Sequence, residues 1–316
     1  MATWTHSLGR ISRAAACRAS ANVATVDVII VNWNDRTRTP AAIDSLLALG
    51  EVAHELGFVH IVVSDNGSTD GSLPLLRERF GERITIVENG ANLGFGAGVN
   101  RAVPAGTAPF IFLLNPDASV RDGALQELVS FMQQRPRCAI AGPKIYEEDG
   151  SLAGSCGEFD SWSGAFLRSS AWGEWPPLRR YANGASLREW DYHSPRRVDL
   201  VIGAALMIRR NVLERVGLFD ERFFMYHEEV DLAKRVAEAG YEVWYVPSAE
   251  ATHAGQGSSG GKNVERYKRE SRRKYWVKHY GLMWYYSLSA ALAARYVLYA
   301  GALVGSALLA RRLLAR

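Results

Sequence analysis

The stretch ITIVENGANLGFGAGVNRAV, residues 84–103, decides the fold. A short β-branched run stops at Glu88, and a turn rich in asparagine and glycine follows it. Beyond Gly94, small apolar residues recur at helical spacing. The order of strand, glycine-rich turn and helix predicts one β-α unit of a parallel sheet. Because such a turn presents backbone N–H groups at the start of a helix, it is also suited to bind phosphate.

The same plan recurs on both sides of this stretch. Residues 26–34 and 59–65 are β-branched strands, and each leads into a predicted helix, at 40–49 and at Ser72–Phe80. PFIFLLNPDASV, residues 109–120, is an apolar strand that stops at an Asn-Pro-Asp turn. Strands that alternate with helices predict an α/β domain whose mixed, mainly parallel sheet is flanked by helices. Ligands bind beyond the carboxyl ends of such strands.

Composition limits the class of protein. The 316 residues suffice for one large α/β domain with appendages. A hydrophobic share of 48% allows a sizeable core and excludes global disorder. The cysteines, Cys17, Cys138 and Cys156, have neither the spacing of a zinc site nor the density of a disulfide scaffold. We therefore expect a reducing compartment.

The two ends of the chain are basic. Residues 1–25 lack the apolar core of a secretory signal, and we expect a flexible basic tail there. Leu282–Ala310 is apolar apart from Arg295, and about 20 such residues suffice to cross a bilayer. The central arginine is equally consistent with a helix that lies in the interface. We expect residues 282–316 to associate with a membrane and find no nucleic-acid-binding motif.

The middle of the chain changes character. Residues 151–197 lose periodicity and are rich in Trp, Gly, Ser and Pro, which favours a long flexible insertion that serves as a lid or binding loop. Regularity resumes with a strand and a helix in residues 198–221 and an amphipathic helix in 227–240. A last strand ends at His253.

Several motifs together resemble a known family. In chain order they are SDNGSTDGS (64–72), ANLGFGAGVN (91–100), LLNPD (113–117), IGAALMIRR (202–210), GLFDERFFMYHEEVDLAKR (217–235) and THAGQGSS (252–259). This order resembles glycosyltransferase family 2, of the GT-A (Rossmann-like) fold, and within it the rhamnosyltransferase-like members. The resemblance implies a glycosyltransferase domain over residues 26–281, with a donor-binding half at 26–150 and an acceptor and catalytic half at 151–281.

The donor-binding residues follow from this resemblance. Asp65 closes the second strand, where a carboxylate can accept a hydrogen bond from a pyrimidine base, although with Asn66 it could also cap the following turn. The glycine-rich stretch is assigned to the donor, with a tight turn packed on the sheet as the alternative. The predicted donor set is Asp65, Asn66, Asn92, Gly94, Phe95, Gly96, Asn100, Asn115 and Asp117.

A divalent metal, Mg or Mn, is implied in the same way. Asn115-Pro116-Asp117 stands where the family has its metal-binding Asp-x-Asp, so Asp117 is the expected ligand and Asn115 acts through hydrogen bonds or water. His253 corresponds to the family's C-terminal metal histidine. A bridging cation would stabilise the charge that develops on a departing diphosphate.

Three carboxylates, those of Glu228, Glu229 and Asp231, lie near the start of the predicted helix in residues 227–240. Carboxylates this close raise one another's proton affinity. One of them could therefore serve as the base that attack by a sugar hydroxyl needs. The resemblance assigns the base to Glu229, with Glu228 as the alternative; a purely structural acidic first turn is also possible on these residues alone. Candidate acceptor contacts are Asp220, Phe224, Tyr226 and Asp231.

The sequence therefore predicts an inverting transferase. The subgroup suggests dTDP-L-rhamnose as donor and a lipid-linked glycan as acceptor, at the cytoplasmic face of the bacterial inner membrane. Alternatives are a UDP-hexose or UDP-N-acetylhexosamine donor, or a catalytically silent protein that binds nucleotide sugars. An NAD-dependent oxidoreductase is disfavoured because the glycine-rich turn follows the third strand and lacks the acidic residue about 20 positions on. The oligomeric state stays open.

Overall fold

The computed structural model describes residues 25–49, 59–168, 175–179, 187, 190–254, 263–294 and 296–297. The predictions for residues 1–24, for Arg295 and for 298–316 lie outside these residues. Within them, none of the helices combines the length and the apolar character that crossing a bilayer requires.

A nine-stranded mixed sheet forms the centre of the domain, in the order β3-β2-β1-β4-β10-β6-β11-β5, with β8 paired to β11. Its strands are β1 (Val26–Asn32), β2 (Val59–Asp65), β3 (Thr85–Glu88), β4 (Phe110–Leu114), β5 (Ala118–Val120), β6 (Cys138–Glu147), β8 (Arg196–Val198), β10 (Ala205–Arg209) and β11 (Glu242–His253). A separate ribbon pairs β7 (Cys156–Gly157) with β9 (Leu200–Val201).

Helices cover both faces of the sheet. They are α1 (Arg38–Leu47), α2 (Ser72–Phe80), α3 (Phe95–Ala102), α4 (Ala124–Gln133), α5 (Trp162–Arg168), α6 (Pro176–Arg179), α7 (Arg210–Val216), α8 (Glu228–Glu238) and α9 (Val264–Tyr280). Residues 282–294 are also helical. Alternate residues of the apolar strands belong to two different hydrophobic clusters, one on each face. The continuous β-branched runs therefore reflect a sheet that is buried on both sides.

The first half of the sheet agrees with the sequence pattern. β3, β2, β1 and β4 are parallel neighbours. Their carboxyl ends consequently lie along one edge, where the polar residues that follow each strand collect. The predicted helix Ser72–Phe80 is present with those bounds, whereas the helix predicted at 40–49 begins and ends two residues earlier.

The second half differs from a simple parallel sheet. The single strand predicted at the start of residues 198–221 is instead divided among β8, β9 and β10, and β10 runs antiparallel between β4 and β6. The described parts of the 151–197 insertion contain α5, α6 and β7. Buried Ala165 of α5 packs in a third cluster with Phe223, Trp276 and Leu288, so this part of the insertion is anchored to the C-terminal helices.

β11 links the two halves of the site. It runs parallel to β6 and pairs antiparallel with β5 at its end. Its register against β6 shifts between Val246 and Glu250, where the strand carries extra residues that β6 lacks. Beyond this bulge, His253 lies opposite Ala118, the residue after Asp117.

Candidate active site

A cavity of about 710 Å³ lies at the carboxyl ends of β1 and β4. This volume is in the usual range for small-molecule sites. The cavity is lined by Val31, Trp33, Asp35, Asn66, Asn92, Gly94, Phe95, Asn115, Pro116, Asp117, Ile202, Gly203, Ala204, Met225, Tyr226, Glu228, Glu229, His253, Val264 and Lys268. Residues from both halves of the sequence therefore face one space.

The two predicted metal ligands lie together on one wall. The backbone N–H of Ala254 donates to the carbonyl of Asp117 at 2.9 Å, which brings the end of β11 against the turn after β4. Nε2 of His253 consequently lies 3.3 Å from Oδ1 of Asp117. Burial opposes ionisation of Asp117, but the hydrogen bond and charge of His253 outweigh it, so the pKa of Asp117 lies below its ordinary value. The same hydrogen bond raises the pKa of His253.

This pair fits a divalent cation. A carboxylate oxygen and an imidazole nitrogen are suitable ligands for Mn, and the carboxylate for Mg. Among the described residues there is no group of three His, Cys, Asp or Glu side chains that could hold a metal ion. The protein's share of the ligands would therefore be Asp117 and His253, and the remaining positions are open to phosphate oxygens and water.

Two glutamates face the cavity from the start of α8. The side chain of Glu228 is buried, and its Oε2 has no hydrogen-bond partner within the described residues. Burial and the charge of Glu229 raise the pKa of Glu228 well above its ordinary value, and burial also raises the pKa of Glu229. The side chain of Glu229 is the less buried of the two, so it is the more accessible to a ligand in the cavity. An ionised carboxylate with a raised pKa is suited to act as a general base.

The chain reaches α8 through a strained corner. Tyr226 and His227 have φ values of 67° and 68°, in the left-handed region that non-glycine residues rarely adopt. Burial lowers the pKa of His227 to about 4, and its ring lies 5.8 Å from that of Tyr275. His227 is therefore neutral at ordinary pH. Tyr226 and His227 together set the direction in which Glu228 and Glu229 leave the corner.

The glycine-rich turn is docked on this same corner. Gly94 has a φ of 89°, and a Cβ built there would lie 2.2 Å from the carbonyl oxygen of Phe224. The backbone N–H of Phe95 donates to that oxygen at 3.0 Å. Gly94 is therefore required for close contact between two backbones. Gly94, Phe95 and Asn92, three of the predicted donor-binding residues, line the cavity.

Gly96 and Asn100 face away from the cavity wall. A Cβ on Gly96 would lie 3.0 Å from Cβ of Phe219. The amide of Asn100 donates to the carbonyl of Phe219 at 2.9 Å and accepts from its N–H at 3.0 Å. These two predicted donor contacts hold α3 against the segment before α8.

Asp65 is buried at the end of β2. Its Oδ1 accepts from Nδ2 of Asn32 at 2.7 Å, and its Oδ2 accepts from the N–H of Ser68 at 3.0 Å. Both carboxylate oxygens thus fix the turn. Asn66, the next residue, lines the cavity and donates to the carbonyl of Gly94 at 3.0 Å.

Trp33 was missed by reasoning from the sequence. It directly follows β1, lines the cavity and is 42% exposed. An exposed aromatic ring at the carboxyl end of a central strand is the signal that could have identified it.

Of the four candidate acceptor contacts, only Tyr226 lines the cavity. The ring of Phe224 packs against Tyr267 at 5.0 Å. Asp231 is fully buried between cationic partners at the start of α8. Hydrogen bonds from Arg222 and then Lys278 hold the pKa of Asp220 well below its ordinary value. Phe224, Asp220 and Asp231 thus stabilise the corner from outside the cavity.

The sequence comparisons agree with this architecture. Residues 27–217 match the family Glycosyl transferase family 2. This chain belongs to that family.

The relatives of this glycosyltransferase refine its position. It is 34% identical over 213 residues to N-acetylglucosaminyl-diphospho-decaprenol L-rhamnosyltransferase of Mycobacterium tuberculosis, a match that covers 64% of this chain and 68% of the relative. It is therefore a rhamnosyltransferase-like member of the family.

Two solved structures share its fold at 18% identity. One is GalNAc-T7 with UDP, GalNAc and Mn²⁺ (TM-score 0.54), and the match covers 81% of this chain and 50% of that one. The other is the mannosyltransferase PcManGT of Pyrobaculum calidifontis with GDP-Man and Mn²⁺ (TM-score 0.53), and the match covers 91% and 81%. The predicted GT-A fold is thereby confirmed.

Proposed function

We propose that this glycosyltransferase transfers L-rhamnose from dTDP-L-rhamnose to a hydroxyl of a lipid-linked glycan, with inversion and with the help of Mg or Mn. One observation carries the proposal: Asp117 and His253, 3.3 Å apart, share a cavity with Glu229. The choice of rhamnose rests on the name of the mycobacterial relative. We place the reaction at the cytoplasmic face of a bacterial inner membrane, reached through residues 282–316.

The leaving-group side of the cavity is the Asp117–His253 wall. A divalent ion bound there would neutralise charge on the departing diphosphate. Both fold neighbours were solved with Mn²⁺, which supports such an ion here. The glycine-rich turn with Gly94 and Phe95 borders the same space and offers backbone N–H groups to phosphate. Trp33 offers a flat ring on which the nucleobase can stack.

The base side of the cavity is the start of α8. Glu229 takes the proton of the acceptor hydroxyl, because its half-buried side chain lines the cavity whereas that of Glu228 is buried. Glu228 keeps its proton and adds no second charge beside it. One base and one leaving-group wall suffice for a single displacement, which inverts the anomeric centre.

Transfer by the purified full-length chain tests this proposal. We would compare dTDP-L-rhamnose, UDP-glucose and UDP-N-acetylglucosamine, with Mn²⁺, Mg²⁺ or EDTA, on a water-soluble N-acetylglucosaminyl diphosphate analogue. We expect metal-dependent transfer of rhamnose with the inverted configuration by NMR. Asp117→Asn should abolish it, whereas Asp122→Asn, an exposed aspartate in the same region, should not. Transfer from UDP-sugars alone would show that the proposed donor is wrong. The absence of transfer and of hydrolysis with every donor would refute the proposed enzymatic activity.

A further inference from the structure

The outer face of α9 carries a row of arginines. Arg266, Arg269 and Arg273 are spaced three and four residues apart, so they share one side of the helix, and all three are exposed. Arg266 pairs with Glu270 at 3.2 Å, a surface contact of little energetic weight. Within the described part of the chain, Arg269 and Arg273 have no carboxylate partner. No acidic residue follows Glu270 in the sequence.

The inner face of α9 is part of the catalytic domain. Tyr275 and Trp276 are buried, and the hydroxyl of Ser271 donates to the carbonyl of Met225 at 2.7 Å. Val264 and Lys268 line the cavity. The arginine row therefore lies about 10 Å from the cavity wall, which is the thickness of one helix.

Large exposed apolar side chains continue from this row. Most of those on the described surface fall after α9: Leu282, Met283, Trp284, Tyr286, Tyr296 and Val297. The helix of residues 282–294 is anchored, because its Leu288 is buried against Trp276 and its neighbours. The exposed side chains thus have a fixed position relative to α9. Arginine beside Trp, Tyr and Met is the composition of surfaces that lie at the headgroup level of a bilayer.

We infer that the outer face of α9 and the exposed side chains of residues 282–286 form a docking surface for an anionic lipid bilayer. This surface, the α9 face, rests on the membrane location proposed above and specifies which side of the domain touches lipid. A second copy of the chain fits less well, because a two-fold contact would bring arginine against arginine. Docking through the α9 face holds the cavity one helix away from the headgroups, within reach of a glycan borne on a lipid diphosphate.

Sedimentation of the full-length chain with vesicles tests whether the arginine charges of the α9 face contribute to lipid binding. The variant Arg266→Gln/Arg269→Gln/Arg273→Gln is compared with Arg77→Gln/Arg79→Gln/Arg83→Gln, which removes the same charge close to the edge strand β3. We expect the first to bind phosphatidylcholine–phosphatidylglycerol vesicles about 100-fold more weakly than wild type, and the second to bind like wild type. Both should transfer sugar to the soluble acceptor like wild type, so loss of docking and loss of the proposed reaction are separable.

An environment-sensitive fluorophore reports contact directly, even if residues beyond 297 hold the protein on vesicles by themselves. It is attached at Arg269→Cys or, as control, at Arg77→Cys, in a Cys17→Ser/Cys156→Ser background. We expect a blue shift at position 269 alone, and only with anionic vesicles. An unshifted label at 269 on vesicle-bound protein would overturn the inference. So would a shift that appears without vesicles as protein concentration rises, because a second copy would then cover the face.

Discussion

Substitution of Gly94 by alanine tests the close contact between the glycine-rich turn and the corner before α8. A Cβ at Gly94 would lie 2.2 Å from the carbonyl oxygen of Phe224, so that carbonyl must retreat by about 1 Å. The retreat removes the hydrogen bond from Phe95, which is worth about 1 kcal/mol. The backbone at φ 89° and ψ 177° adds about 2 kcal/mol of strain for a residue with a side chain. We therefore expect the free energy of unfolding to fall by about 3 kcal/mol.

Gly90→Ala is the matched control. Gly90 also has a positive φ, of 72°, but a Cβ there meets nothing within 4 Å. Only backbone strain remains, and we expect a loss of about 1 kcal/mol. Urea unfolding of both variants measures the difference. Equal stability of Gly94→Ala and Gly90→Ala would refute the contact as the reason for glycine at position 94.

Three further predictions concern catalysis and binding. Glu229→Gln should lower kcat by about 10²- to 10⁴-fold and leave donor affinity unchanged. In the wild type, kcat/KM should rise with pH with an apparent pKa above the ordinary glutamate value of 4.5, because burial raises the pKa of a base that acts in its ionised form. An apparent pKa at or below 4.5 would exclude Glu229 as the base. His253→Ala should raise the Mn²⁺ concentration for half-maximal rate at least about 10-fold in a metal titration, and an unchanged requirement removes it as a ligand. Trp33→Ala should weaken donor binding by about 1 to 3 kcal/mol in calorimetry, whereas Trp175→Ala, exposed but outside the cavity wall, should not; equal affinities would exclude stacking.

Much of the architecture could be predicted because periodicity and strand ends are local signals. The β-α units, the helix Ser72–Phe80 and the edge where ligands collect follow from short stretches of sequence. The antiparallel insertion of β10 between β4 and β6 could not, because its pairing joins residues between 66 and 99 positions apart that carry no local mark.

The candidate site was likewise predicted only in part. Asp117 and His253 meet as the motif order implied, but Asn100 and Gly96 turned out to contact Phe219. A polar or small residue beside a glycine-rich turn suits a ligand and a neighbouring loop equally well, so residue type alone cannot choose between them. Nothing in the sequence predicted the left-handed backbone at His227, because histidine seldom adopts that conformation.

That corner has a consequence for laboratory evolution. Tyr226 and His227 adopt a backbone conformation that glycine and asparagine adopt more readily, so replacing them by those residues would relieve strain and make the protein more resistant to heat. Selection for thermal tolerance alone would favour glycine or asparagine at positions 226 and 227. The turnover of such variants would tell whether the proposed reaction depends on the direction in which this corner sends Glu228 and Glu229.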